Sequence, residues 1–202
     1  MIILCNGCSS SGKSSAISAM KSLSDECIIH LGIDDYFRML LPKYANGGVC
    51  QKDGFAWITK EINGKQIVQV AAGVRGLQMV RGMISMVKTL HEHGICVVIE
   101  EVLEEDIVLM EYCTAFVNYP IYFIGMWCQL NVLEHREILR GDRISGLARA
   151  QFNVVNRYQE YYDLTIDNTL KDPFEAAQMI LDYINNNTTP VNFTKLSQKL
   201  LS

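Results

Sequence analysis

Short apolar runs alternate along this chain with longer segments in which apolar positions recur every three or four residues. The runs at residues 2–5, 27–33, 95–99, 119–128 and 164–166 carry almost no polar alternation. A strand with one wet face would alternate, so these read as strands covered on both sides. The segments 13–23, 76–92, 105–113, 131–139, 147–162 and 173–186 read as helices. In 76–92, Leu77, Val80, Met83, Ile84, Val87 and Leu90 fall in one stripe, the pattern of a helix lying on a core. Strands and helices in strict alternation predict an α/β fold, with a parallel sheet of about five strands between two helical layers.

Residues 44–72 interrupt the alternation. They carry Gly47, Gly48 and Gly54, then Asn63-Gly64 flanked by Trp57-Ile58-Thr59 and Gln66-Ile67-Val68. An Asn-Gly pair between two such runs predicts a β-hairpin. We read it as an insertion over the carboxyl edge of the sheet, either as a wall of the ligand site or as a structural excursion. The tail 187–202 is polar around Pro190. It then places Phe193, Leu196, Leu200 and Leu201 at the spacing of a short amphipathic helix, expected to pack on the surface. The organisation predicted is one domain over 1–186 followed by that tail.

Composition narrows the class. A chain of 202 residues, 49% hydrophobic and 20% charged, is long enough for one full core. A net charge of −4 gives no electrostatic case for nucleic acid or an anionic membrane. The first core strand begins at Ile2, leaving no room for a signal peptide, and no uncharged run reaches membrane-spanning length. Seven cysteines, several in apolar runs, then read as reduced core residues of a cytoplasmic protein. Cys5 and Cys8 have the spacing of a redox or metal pair. No second pair completes a metal site, and they overlap a motif with a different purpose.

That motif is Gly7-Cys8-Ser9-Ser10-Ser11-Gly12-Lys13-Ser14, between the first strand and the first helix. It matches the phosphate-binding loop G-x-x-x-x-G-K-[ST] in the expected context. Gly7 and Gly12 permit a tight turn that aims backbone N–H groups at an anion, and the helix adds the positive end of its dipole. Ser9, Ser10, Ser11 and Ser15 complete the predicted cradle. Lys13 would reach the outer phosphates of a nucleoside triphosphate, and the Ser14 hydroxyl would ligate Mg²⁺.

Three further groups fit phosphoryl transfer. Asp34 and Asp35 are expected to close the second strand, at the sheet edge facing the loop. Asp34 is read as the base for an acceptor hydroxyl, and Asp35 as a helix cap or supporting group. Glu100 and Glu101 end the run 95–99, where an acidic residue would hold Mg²⁺; Glu100, next to the core, is preferred. Arg136, Arg140 and Arg143 share one stripe if their helix continues through Gly141, and would clamp phosphates as part of a lid-like segment, 130–147. The competing reading pairs them with Glu134, Glu137 and Asp142 on an exposed face. The four histidines show no metal-ligand spacing.

Taken in order, these landmarks resemble the chloramphenicol 3-O-phosphotransferase family of phosphate-loop kinases. The resemblance rests on residues 1–15, on Gly32-Ile33-Asp34, on Glu100-Glu101-Val102 and on Arg136-Glu137…Arg140-Gly141-Asp142-Arg143…Gly146. It continues through Gln151…Val154-Val155 and Tyr162-Asp163-Leu164…Asp167…Thr169. It implies a nucleotide-kinase-like phosphate-loop NTPase fold and transfer of the γ-phosphate of ATP, with Mg²⁺, to a hydroxyl of a small molecule. It also implies Asp34 as base, Lys13 and Ser14 as the loop pair, and Arg136, Arg140 and Arg143 as the basic segment. Asp35 and Asn156 depart from the family pattern, and residues 36–75 match it poorly apart from Gly47 and Gly48. The acceptor therefore stays open between chloramphenicol and a sugar, nucleoside or nucleotide-sugar. A nucleotide-binding regulator without transfer is the reading from another class. A homo-oligomeric contact through the tail is also left open.

Overall fold

The computed structural model describes residues 1–62, 64–141, 145–186 and 189–202. Five parallel strands form one sheet: β1 (Ile2–Gly7), β2 (Ile28–Gly32), β5 (Cys96–Glu101), β6 (Ile121–Trp127) and β7 (Leu164–Asp167), in the order β2-β5-β1-β6-β7. β1 lies at the centre, with Ile2 opposite both Val97 and Ile121. Every β1 residue is buried, as a run without polar alternation requires.

Because side chains alternate across a strand, β1 feeds two cores. Ile2 and Leu4 join Val97, Ile99, Ile121 and Phe123 on one face. That face is covered by α3 (Val74–Glu92), α4 (Asp106–Phe116) and α8 (Asn192–Leu201). Ile3 and Cys5 join Val98, Tyr122 and Ile124 on the other, under α1 (Lys13–Leu23) and α7 (Pro173–Asn186). The three-layer α/β architecture expected from the alternation is the one observed.

The predicted hairpin forms as β3 (Phe55–Ile62) and β4 (Lys65–Ala72), antiparallel, with Phe55 opposite Ala72. Gly64 takes φ +70° in its turn, a conformation that favours glycine. Three expectations need correction. Residue 33 does not continue the second strand: β2 stops at Gly32, and α2 (Ile33–Met39) begins there, so Asp34 and Asp35 sit in a first helical turn. The helix expected over 147–162 is α6 (Leu147–Val155) followed by a 3-10 stretch over Asn156–Tyr161. The tail helix α8 does more than lie on the surface. Phe193 and Leu196 are fully buried, and the Phe193 ring packs 5.3 Å from Phe123.

All seven cysteines are free thiols. Burial pushes Cys5 up to about 12 and Cys8 up to about 11, which leaves both protonated and unreactive. No helix among the described residues is long and apolar enough to cross a membrane.

Candidate active site

Parallel pairing brings the carboxyl ends of the strands to one edge. Gly7 aligns with Met126, Gly32 with Glu100, and Asn6 with Glu101. A cleft of about 990 Å³ opens along this edge. It is lined by Ser9, Ser10, Gly12, Lys13, Ser14 and Ser15 of the loop, and by the apolar side chains of Phe37, Phe55, Trp57 and Val70. Asp34, Glu100, Arg136 and Arg140 line it as well.

The phosphate loop is held from both sides. A Cβ at Gly7 would lie 2.5 Å from the Met126 carbonyl oxygen, so the chain passes there only without a side chain. Gly12 has φ +92°, and a Cβ on it would stand 2.2 Å from Asn168 Nδ2. That amide instead donates to the Ser11 carbonyl at 2.7 Å. Ser10 takes φ +64°, a left-handed conformation that costs a non-glycine residue roughly 1 kcal/mol. Lys13 is buried and donates to the carbonyls of Gly7 and Cys8, 2.9 Å each. The hydroxyls of Ser10 and Ser11 are buried with no hydrogen-bond partner. Buried polar atoms without partners are rare and point to an unmade contact. Of the two, Ser10 lines the cleft and its hydroxyl suits an oxygen of a phosphate; Ser11, predicted as part of the cradle, is fully buried with its hydroxyl beside Gly7 and does not line the cleft.

Ser14 and Glu100 meet as the sequence reading requires of a joint site. The Ser14 hydroxyl donates to Glu100 Oε1 at 2.7 Å, while His30 Nε2 lies 2.9 Å from Glu100 Oε2. Burial pushes the Glu100 carboxyl up, but the hydrogen bond with His30, the charge of Lys13 and the Ser14 hydroxyl outweigh it. The result is a value of about 2, so the carboxylate stays ionised. No described cluster of three or more His, Cys, Asp or Glu side chains is arranged to hold a metal. The donor set is one hydroxyl and one carboxylate, both hard oxygens, which suits Mg²⁺ completed by water and phosphate. Glu101 serves otherwise. It is buried, accepts from the Tyr112 hydroxyl and the Val102 N–H, and burial raises it to about 7.

Asp34 lines the cleft from the first turn of α2. Asp35 turns back to accept the Gly32 N–H at 3.1 Å, and pairs with Arg38 at 2.9 Å. It thus supports the helix start, as an acidic third helical residue does.

The arginine stripe is shorter than expected. α5 (Leu130–Arg140) ends at Arg140, and Gly141 takes φ +66° as its left-handed cap, so the helix does not continue toward residue 143. Arg143 lies outside the described residues. Arg136 donates to the carbonyls of Asn168 and Thr169, at 3.1 and 3.3 Å, bracing the segment whose Asn168 holds the phosphate loop. Arg140 lines the cleft. Of the acidic residues proposed as their partners, Asp142 lies outside the described residues and the other two are used differently. Glu134 pairs with Arg149, and buried Glu137 accepts the N–H groups of Gly146 and Ala148, capping α6.

Four contributors escaped the sequence reading: His30, Glu104, Gln151 and Asn168. Asn168 follows the carboxyl end of β7 and His30 lies near that of β2, positions that a parallel sheet makes informative. Gln151 shares the buried face of α6 with Leu147, Ala148 and Val155, and a glutamine at a core position was the readable signal. Glu104 accepts the Val70 N–H at 3.2 Å, and Glu105 the Ala72 N–H at 2.8 Å. These two bonds moor β4 to the sheet edge.

Comparison with known proteins agrees with this geometry. Over its full length the chain is 26% identical to a protein of Mycobacterium tuberculosis provisionally named O-phosphotransferase Rv2636, of which it covers 89%. Among solved structures it is similar to shikimate kinase from Acinetobacter baumannii in complex with shikimate. The TM-score is 0.60 at 13% identity, covering 93% of this chain and 94% of that one. It is also similar to a sugar kinase from Janibacter sp. HTCC2649, with a TM-score of 0.59 at 11% identity, covering 91% of this chain and 94% of that one. At these identities the structures speak for the fold, that of phosphate-loop kinases. The profile of chloramphenicol phosphotransferase-like proteins matches residues 1–185, and the chain belongs to that family, whose class is the small-molecule phosphotransferase of kinase type.

Proposed function

We propose that the protein transfers the γ-phosphate of ATP to a hydroxyl of a small molecule, with Mg²⁺. The observation that supports this best is the buried, unpartnered hydroxyl of Ser10 in a phosphate loop that lines one cleft with Asp34. In this reading the acceptor oxygen forms its bond to the γ-phosphorus as the bond to the β–γ bridging oxygen breaks. The hydroxyl proton passes to the Asp34 carboxylate and ADP leaves. Lys13 and Arg140 stabilise charge on the moving phosphoryl group. Arg143 is given the same role on its sequence position alone. Ser14 and Glu100 would hold Mg²⁺, which when bound neutralises phosphate charge. Arg136 acts on the nucleotide through the segment it braces.

The acceptor end combines apolar walls, Phe37, Phe55, Trp57 and Val70, with the carboxyls of Glu104 and Glu105. That lining suits a hydroxylated compound with an apolar body. Chloramphenicol is the first candidate because the family carries its name, and a sugar, nucleoside or nucleotide-sugar is the alternative. We place the reaction in the cytoplasm, where ATP is supplied. The test is incubation with γ-labelled ATP and Mg²⁺ across hydroxylated acceptors, chloramphenicol included. A phosphorylated small product is expected. Bound ATP with no product from any acceptor would contradict the proposal and favour a nucleotide-binding regulator.

A further inference from the structure

One amide of the phosphate loop already has a partner. The Ser9 N–H donates to Gln151 Oε1 at 2.7 Å, while the neighbouring Ser10 and Ser11 hydroxyls have none. Gln151 is buried and comes from α6, 142 positions along the chain. Its side chain also stands beside Glu104, close enough to lower that carboxyl against the effect of burial. The orientation of the Gln151 amide follows from its neighbours: the carbonyl must face an N–H, which leaves the NH₂ for the carboxyl. Glu104 in turn accepts the Val70 N–H at 3.2 Å, and Val70 stands in the cleft wall on β4. The Val68 N–H donates to the Gly146 carbonyl at 3.3 Å, directly before α6, so β4 and α6 are joined a second time.

Polar contacts therefore lead from the phosphate loop to the acceptor wall: a hydrogen bond from Ser9 to Gln151, Glu104 beside Gln151, and hydrogen bonds that join β4 to Glu104 and to the start of α6. We propose that Gln151 is a positioning residue that stands in for a phosphate oxygen on the Ser9 N–H and couples occupancy of the loop to the β3–β4 wall through Glu104. The inference rests on the reading of the loop as a nucleotide site. A phosphate oxygen arriving at Ser9 must displace the Gln151 carbonyl. A buried carbonyl without a donor is unfavourable, so the side chain turns, and turning it disturbs Glu104 beside it, the carboxyl that moors Val70. Coupling of this kind is reciprocal, so filling the acceptor end also changes nucleotide affinity.

The experiment titrates the full chain with MgATP alone, by calorimetry, and follows amide exchange in residues 65–72 with and without it. Gln151→Leu removes the stand-in and is expected to bind MgATP about 5-fold tighter than wild type, a coupling of ordinary size. MgATP should shift exchange in β4 of the wild type and leave it unshifted in Gln151→Leu. Glu104→Leu cuts these contacts beyond Gln151; it should keep MgATP binding and lose the β4 response, which keeps the test decisive should Gln151→Leu fail to fold. A merely structural glutamine predicts the opposite sign, because its loss loosens the loop. Equal or weaker MgATP affinity in Gln151→Leu, or a β4 response that persists in either variant, overturns the coupling. Failure of the wild type to bind MgATP would overturn the phosphotransfer reading, and the coupling with it.

Discussion

The phosphate end of the cleft comes almost entirely from one short stretch, residues 7–15, whereas the acceptor end draws on α2, the β3–β4 hairpin and the segment after β5. The first is set by a local motif, a buried central strand that runs through two glycines into a helix start, and is then braced from afar by Asn168 and Gln151. The second is fixed by long-range bonds, such as those from Val70 and Ala72 to Glu104 and Glu105, more than 30 positions apart. In the proposed reading, donor chemistry is set by a motif, and acceptor chemistry by how separate elements are moored. Substitutions at the two ends should fail in different ways.

The largest effect is expected at Lys13. Lys13→Ala removes a buried cation from the loop and should lower transfer by about a thousandfold, measured as kcat with acceptor saturating. Glu100→Gln comes next. It leaves the Ser14 hydroxyl a neutral partner, and should raise the Mg²⁺ concentration needed for half-maximal rate by about 10- to 100-fold. Both should leave the acceptor KM near its original value, and a large acceptor KM change would blur the division between the ends.

Substitutions on the acceptor side should act first on stability and KM. Glu137→Ala leaves the Gly146 and Ala148 N–H groups without their buried acceptor and should cost about 2 kcal/mol, read by denaturant unfolding. Because Gly146 also holds β4, the acceptor KM should rise with it. The smallest effect concerns pH. Burial raises Glu104 from 4.5 to about 7, so the folded chain keeps a proton that the unfolded chain releases between those values. That contribution to stability is full at pH values below the unfolded one and is lost as pH rises through about 7. Glu104→Gln does not ionise, and should flatten the fall in unfolding free energy over that window. An unchanged slope would remove Glu104 from the account of the wall.

The same division explains what could be read in advance. The apolar runs set β1 and β5, and the motif set residues 7–14, because strand burial and loop spacing are local properties. The position of Glu100 beside the loop was legible because it ends a buried strand that pairs directly with β1. Asp34 was placed in a strand because Ile33 prolongs an apolar run; Gly32 and the Asp35 carboxylate start a helix there instead. Arg136 looked like a free clamp because nothing local reveals the Asn168 and Thr169 carbonyls it reaches, more than 30 positions away. The partners of Gln151 were hidden for the same reason: its place on the buried face of α6 is readable, but Ser9 and Glu104 are brought to it by tertiary packing.

The central claim, that Asp34 serves the acceptor while the loop holds the donor, is tested most directly by Asp34→Asn. MgATP affinity and acceptor-dependent transfer would be measured on the same preparation. The account predicts transfer reduced by at least about a hundredfold with MgATP affinity unchanged. Transfer at the wild-type rate, or loss of MgATP binding together with transfer, would contradict it.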